Sequence, residues 1–333
     1  MAKRTISVRE GRPLLDLVSY GRRGPGQTDR LSPVQIEHIA RTVRRVPEVM
    51  VKVSGGGNSA KAVLAHFKYI DRRGDLEIET DDGEQLKEKG VEKGLIEEWD
   101  LVTDAADSES LYEGNPGRKP GKLVHNIVLS MPSGTAPARV LAASRALARE
   151  QFALKHRYAM VLHTDQPHPH VHLVVKAVSE RGQRLNVRKA TLREWRHEFA
   201  RHLREQGIEA NATERAVRGE TKAHKPNRIY RAERGGRSTL MRDRVKAVAG
   251  ELLKGHLRDE AGKTKMVQTR VQVERGWRAV RDRLVSEGQL ALAAAVGRFA
   301  DRMPRPRTDR ERIADELLER VHRRRDLEQR LTR

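Results

Sequence analysis

The chain has no cysteine among its 333 residues. Disulfides and thiolate zinc sites are therefore excluded, and any metal must be held by imidazole and carboxylate. Aromatic residues make up 4% of the sequence, too few for an RNA-binding sheet that stacks several bases on rings. No apolar run approaches the ~18 residues of a membrane-spanning helix. An apolar signal-peptide core and a lipidation motif are also missing. The expectation is a protein that is cytoplasmic at synthesis and does not insert into a membrane. No Gly-x-Ser-x-Gly elbow occurs. Gly121-Lys122 is followed by Leu123, without the spacing that cradles a triphosphate, so ATP does not power the protein.

Positive charge is abundant. Lys and Arg number 67 against 46 Asp and Glu, a formal net charge of +21. Such a surplus attracts a polyanion, and nucleic acid is the commonest one. Hydrophobic residues reach 37%, lean but sufficient for a packed core.

Three regions follow from pattern and punctuation. Residues 1–45 read as a basic N-terminal arm, broken by Gly21-Arg22-Arg23-Gly24-Pro25-Gly26. Ser32-Pro33 then opens a helical stretch carrying Ile36, Ile39, Ala40 and Val43. Residues 46–224 alternate strand and helix signals. Strands are expected at Glu48–Val53, Leu76–Thr80, Leu123–Met131, Tyr158–His163 and His170–Val178. Helices are expected at Ser59–Asp71, Pro137–Phe152 and Thr191–Gln206, and a long loop over 103–121. The pattern predicts an α+β fold with helices on one face of a mainly antiparallel sheet. Residues 225–333 are basic and helical in character. Breaks at Gly262, Gly288 and Pro304 to Pro306 suggest about four helices.

The chemistry concentrates in His163-Thr164-Asp165-Gln166-Pro167-His168-Pro169-His170-Val171-His172, which holds four of the 13 histidines. Residues i and i+2 of a strand face the same side, so His170 and His172 lie next to each other. A hairpin turn brings His163 back beside His170. Three imidazoles from two adjacent strands can share one metal ion and leave positions open for water or phosphate oxygens. His168 is a further candidate beside the metal or on DNA. The bland alternative is a histidine-rich surface turn.

Without cysteine or a serine elbow, water and tyrosine remain as nucleophiles. The tyrosines are Tyr20, Tyr69, Tyr112, Tyr158 and Tyr230. Tyr69 falls on the helix after the first strand and its glycine loop. It lies off the apolar stripe of Val63, Leu64, Phe67 and Ile70, which suits a phenol facing a cleft. Lys68, Arg72 and Arg73 are near enough in sequence to hold phosphates. A half-buried helix tyrosine is the competing reading.

His170-Val171-His172 preceded by His163 resembles the metal site of the HUH endonuclease superfamily. The larger segment resembles conjugative relaxases of the MobP type. The matching pieces run from Val49 through Gly57 to Tyr69 and on to Gly74, then Leu76–Gly83, His125–Ser130 and His163–Val175. Ala212 to Gly219 is also similar. The resemblance covers roughly residues 46–224. It implies a five-stranded antiparallel sheet with flanking helices, and Mg²⁺ or Mn²⁺ held by His163, His170 and His172. It implies that Tyr69 attacks a phosphate of single-stranded DNA at an origin of transfer, leaving a 5′-phosphotyrosyl link and a free 3′-hydroxyl. Many relatives carry Asp where this chain has Pro167; Asp165, two residues earlier, is the carboxylate at hand to orient a histidine. Arg215 and Arg218 are expected to clamp phosphates. The resemblance also implies accessory relaxosome proteins, a type IV secretion or coupling apparatus, and export of the protein with its DNA. Two other readings stay open: a rolling-circle replication initiator with the same chemistry, and a non-catalytic basic DNA-binding protein with a structural metal.

Overall fold

A computed structural model of the chain describes residues 30–110, 121–221 and 235–331, together with residues 229, 232 and 233. Residues 45–212 form one compact unit. The described residues up to 44 and from 213 onward form the other.

The first unit is built on a sheet of β1 (Met50–Gly55), β2 (Ile78–Thr80), β3 (Gln85–Leu86), β4 (Val124–Ser130), β5 (Tyr158–His163) and β6 (His170–Lys176). Their order is β1-β4-β6-β5-β2-β3, and every neighbouring pair is antiparallel. The expected antiparallel sheet is therefore present. Five strands have at least three residues, and the two-residue β3 adds a sixth at the edge.

Helices cover both faces of this sheet, not the single face expected. Helices α5 (Pro137–Phe152) and α6 (Lys189–Glu205) pack on one face. There Val140, Leu147, Phe152, Trp195 and Phe199 meet Val51, Ile127, Leu129, Met160 and Leu173. Helices α2 (Ala60–Ile70), α3 (Val91–Glu98) and α4 (Leu101–Ser110) lie on the other. Their apolar residues Val63, Phe67, Ile70, Leu95 and Leu101 close over Ala159, Val161 and Val174. The reason is visible in the central strands. β5 and β6 are buried at nearly every position, and Ala159, Val161 and Val174 are apolar on the second face, so both faces need cover. Helix α4 also replaces the first part of the loop expected over 103–121. Residues 111–120 of that loop lie outside the described residues.

Helix α2 follows from its sequence. The Ser59 side chain accepts the Ala62 N–H at 3.3 Å and caps the first turn. Val63, Phe67 and Ile70 recur at helical spacing and are buried. The Asp71 backbone N–H closes the last turn on the Phe67 carbonyl at 2.9 Å. Burying that stripe leaves His66 and Tyr69, three residues apart, on a neighbouring face.

The second unit is helical: α1 (Pro33–Val43), α7 (Thr239–Leu253), α8 (Lys263–Ser286), α9 (Leu290–Asp301) and α10 (Asp309–Leu331). The four helices of its C-terminal part are separated at the glycine and proline breaks read from the sequence. The expected arm is different. From residue 30 onward it packs into this unit, with Ile39 in one cluster with Val217, Trp277, Val280 and Val296. Trp277 Nε1 donates to the Val217 carbonyl at 2.8 Å. The sheet unit thus ends at residue 212 and not at 224.

Phe67 is fully buried and meets Trp99 edge-on at 5.7 Å between ring centres. Phe67→Ala is expected to cost about 3–5 kcal/mol, with Phe67→Leu well below that. Urea unfolding of the two variants checks this. A loss under about 1 kcal/mol for the alanine would mean that this ring does not anchor α2.

Candidate metal centre

The register of β5 and β6 assembles the site. His163 stands opposite His170, and Val161 opposite His172. Cross-strand partners share a face, as do residues two apart on one strand, so all three imidazoles project from the same side. Their ring centres are 4.5 Å apart for His163 and His172, and 5.1 Å for each of the other pairs. One ring nitrogen from each lies within 4.8 Å of the others. His163 and His172 are buried, and His170 is half-buried.

Hydrogen bonds to carbonyls set two of the tautomers. His163 Nε2 donates to the Ile70 carbonyl at 2.6 Å, which leaves its Nδ1 as a lone-pair donor. His170 Nδ1 donates to the His168 carbonyl at 3.0 Å, which leaves its Nε2. Orienting contacts of this kind are what ligating histidines normally show. His172 keeps a buried Nδ1 with no hydrogen-bond partner. Burial, then the neighbouring His163 and His170, pushes the His172 pKa down to about 3. Burial also lowers that of His163. Both rings are neutral at pH 7, the form that binds a metal. This donor set fits a divalent cation.

A second group of possible donors, Glu150, Glu198 and His202, lies across α5 and α6. It is already satisfied from within. Arg201 reaches Glu198 at 2.7 Å and Glu205 at 2.6 Å, and also bonds Glu150. His202 bonds Glu150 at 2.8 Å and Glu205 at 2.9 Å. Among the described residues, the three-histidine cluster has no such counter-charge on its rings apart from Asp165.

Tyr69 stands at the rim. It is 54% exposed, and its ring is 6.1 Å from that of His172, edge-on. His66 completes the group, 6.2 Å from both rings. The sequence marks His66 only by its spacing three residues before Tyr69; the half-burial of its ring, with a buried and unpartnered Nε2, is a product of tertiary packing. Tyr158 is buried in the core, and Tyr20, Tyr112 and Tyr230 lie outside the described residues.

Arg72 links the helix end to the cluster. Its guanidinium lies 5.2 Å from the Tyr69 ring centre. Nη2 donates to Asp165 Oδ2 at 2.6 Å and to His163 Nδ1 at 3.3 Å. Arg72 and Arg73 both have left-handed φ, at 57° and 64°, which costs each roughly 1–2 kcal/mol. The Asp71 carboxylate accepts the Arg73 N–H at 2.8 Å and helps hold this turn. Backbone strain beside a polar cluster is a common mark of a functional site. Asp165 therefore stands next to His163 with Arg72 between them, 3.9 Å from Nδ1. His168 is exposed and enters through its backbone carbonyl. Lys68 turns to Glu92, at 3.6 Å, and is not among the groups gathered at the histidines. Arg73 is exposed. Arg215 and Arg218 belong to the other unit, where Arg218 pairs with Glu220 at 3.0 Å.

Residues 69–208 match the family model described as "Relaxase: MobA/VirD2-like, nuclease domain". That stretch is similar to a relaxase nuclease domain. The matched span lies within the sheet unit and takes in Tyr69 and all three histidines. The T-DNA border endonuclease VirD2 of Agrobacterium fabrum is 25% identical over 199 residues, covering 52% of this chain and 41% of that protein. The protein of the same name from Rhizobium rhizogenes is 27% identical over 143 residues, covering 38% of this chain and 30% of that protein. The chain thus spans less than half the length of these curated relatives. Among solved structures, the Mn-bound MobM relaxase domain with plasmid pMV158 oriT DNA is 12% identical with a TM-score of 0.38. It covers 56% of this chain and 98% of that one, a likeness too loose to bear on the fold.

The lowered pKa values of His163 and His172 make the metal-free sheet unit sensitive to acid. Below about pH 6.5 the unfolded chain protonates rings that the folded chain keeps neutral. Stability is fully present above that pH and falls as pH drops toward about 3, where His172 accepts its proton in the fold. Urea midpoints measured from about pH 7.5 down to about pH 5 should decline. The decline should be shallower for His172→Gln; an equal slope in that variant would remove His172 as a source.

Proposed function

We propose that the relaxase domain nicks and rejoins one strand of DNA at an origin of transfer through a covalent tyrosyl link. The observation that carries this reading is the placement of an exposed phenol at the rim of three converging imidazoles. In detail, the Tyr69 oxygen attacks the scissile phosphorus. The new O–P bond forms as the bond to the 3′ oxygen breaks, the phenol gives up its proton, and the 3′ oxygen takes one up. One phosphodiester replaces another, so rejoining needs no nucleotide. This agrees with the missing triphosphate loop.

His163, His170 and His172 would hold Mg²⁺ or Mn²⁺. Such an ion supplies Lewis-acid polarisation of the phosphate and offsets developing charge. A free tyrosine has a pKa near 10 and is a weak nucleophile at neutral pH. Arg72, already against the Tyr69 ring, supplies positive charge where the phenolate develops. Its contact with His163 Nδ1 uses the lone pair a metal would take, so Arg72 withdraws from that nitrogen and keeps Asp165. Asp165 in this way steers Arg72. Arg73 is placed to meet phosphate oxygens, whereas Lys68 must leave Glu92 to do so. Arg215, Arg218 and the net charge of +21 serve sequence-independent phosphate binding, whose strength falls with salt.

The products are a 5′-phosphotyrosyl protein and a free 3′-hydroxyl. On the same reading the protein starts conjugative transfer or mobilisation, working with accessory relaxosome proteins and a type IV secretion or coupling apparatus. Export with the linked strand is part of that reading. No described helix is long and apolar enough to cross a membrane. The family match favours mobilisation over rolling-circle replication, which shares the chemistry.

A randomised library of labelled single strands, incubated with the full chain and Mn²⁺ and run on a denaturing gel, tests the covalent step. A protein–DNA adduct is expected for the native chain and none for Tyr69→Phe. An adduct that persists in Tyr69→Phe would assign the nucleophile elsewhere. His170→Ala with His172→Ala should abolish the adduct and leave salt-sensitive binding in place. Joint loss of both would point to a structural metal.

A further inference from the structure

We propose that the outer strand β1 carries a binding site for the backbone of single-stranded DNA, with Lys52 on a phosphate and Met50 against the adjoining base. The inference extends the nuclease reading, since it supplies the path by which a strand reaches the histidines. It rests on the sheet register. Met50 stands opposite Ser130, Ser130 opposite His170, and His170 opposite His163. Lys52 stands opposite Val128, Val128 opposite His172, and His172 opposite Val161. Two rows thus run straight across the sheet from the histidines to its edge, and every side chain in them shares the histidine face. With strands spaced ~4.8 Å apart, Met50 and Lys52 lie about 10 Å from the histidine strand.

Charge decides which edge a polyanion would follow. Beyond β5 lie β2 and β3, where Glu77, Glu79, Asp81, Asp82 and Glu84 crowd a short stretch of sequence. Arg145 and Arg157 on that side are spent on those carboxylates. Strand β1 carries no acidic residue from Met50 to Gly55. Lys52 is exposed and makes no ion pair among the described residues, unlike Lys68 and Arg72. Met50 is 40% exposed, a large apolar side chain beside that free cation. A free ammonium and an adaptable apolar side chain are the two elements that single-strand sites combine, one for phosphate and one for base.

The test uses the full chain and a fluorescent oligothymidylate, with affinity followed by anisotropy across a salt series. A lost single-strand phosphate contact lowers the slope of log affinity against log salt by about 0.7. Between about 50 and 200 mM salt, the affinity loss of Lys52→Gln should therefore be about 2.5-fold smaller than that of the native chain. Lys52→Arg should restore the native slope. Lys155→Gln is the control. That residue is equally exposed but follows α5, at the opposite end of β5 from His163. A native slope in Lys52→Gln, or the same change in Lys155→Gln, would overturn the site. Native urea midpoints in all three variants confirm that the fold is intact. The adduct assay on the same proteins separates the two readings. An adduct in the native chain with no Lys52 effect on binding sinks the β1 site alone. Lys52-dependent binding with no adduct supports the β1 site and sinks the nuclease.

Discussion

The hydrogen bond from His163 Nε2 to the Ile70 carbonyl, 2.6 Å long, joins the two halves of the site. Its donor is on a sheet strand and its acceptor is in the last turn of α2. The carbonyl has no partner further along the helix, because α2 ends there. One contact therefore satisfies a helix-end acceptor, fixes a histidine tautomer and sets the distance between Tyr69 and the cluster. The burial of Val63, Phe67 and Ile70 presses that helix end against the sheet. Asp71 and the left-handed Arg72 and Arg73 then turn the chain so that the Arg72 guanidinium returns to the same histidine. Take away the helix packing, and the phenol, the guanidinium and the tautomer lose their common reference.

Much of this was legible in the sequence for one reason: period. A two-residue spacing on a strand fixed which histidines share a face, and a helical spacing fixed which α2 residues are buried. These rules are local, so His163, His170, His172 and Tyr69 came together where expected. Tertiary relations were less legible. The apolar residues of strands β5 and β6 signalled burial but not how many helical layers cover them. The acidic and polar run after Asp100 obscured α4. Lys68 and Arg72 looked alike in sequence, yet Lys68 meets Glu92 from α3 and Arg72 meets Asp165. The partner of a surface cation is set by distant elements, and no spacing rule reports it. The helix opened by Ser32-Pro33 was visible, but its place in the helical unit depends on Trp277 and its neighbours, some 240 residues away.

The site combines opposite solvent environments a few ångströms apart. His163 is 1% exposed and His172 8%, while Tyr69 is 54% exposed. Burial keeps the imidazoles neutral, and so ready to act as lone-pair donors without first losing a proton. On the proposed function the phenol has to be exposed, because a DNA strand would lie across it. Placing the donors on central strands and the phenol on the last turn of a covering helix meets both demands. The positive surplus of the chain fits this division. Cations belong at the surface, where phosphates arrive, and not among the donors, where they would oppose a metal ion. Arg72 is the exception, since it touches His163 directly. On the proposed function, its exposed bond to Asp165 gives it a place to remain when a metal takes that nitrogen, and the Tyr69 ring keeps it beside the phenol oxygen that would attack.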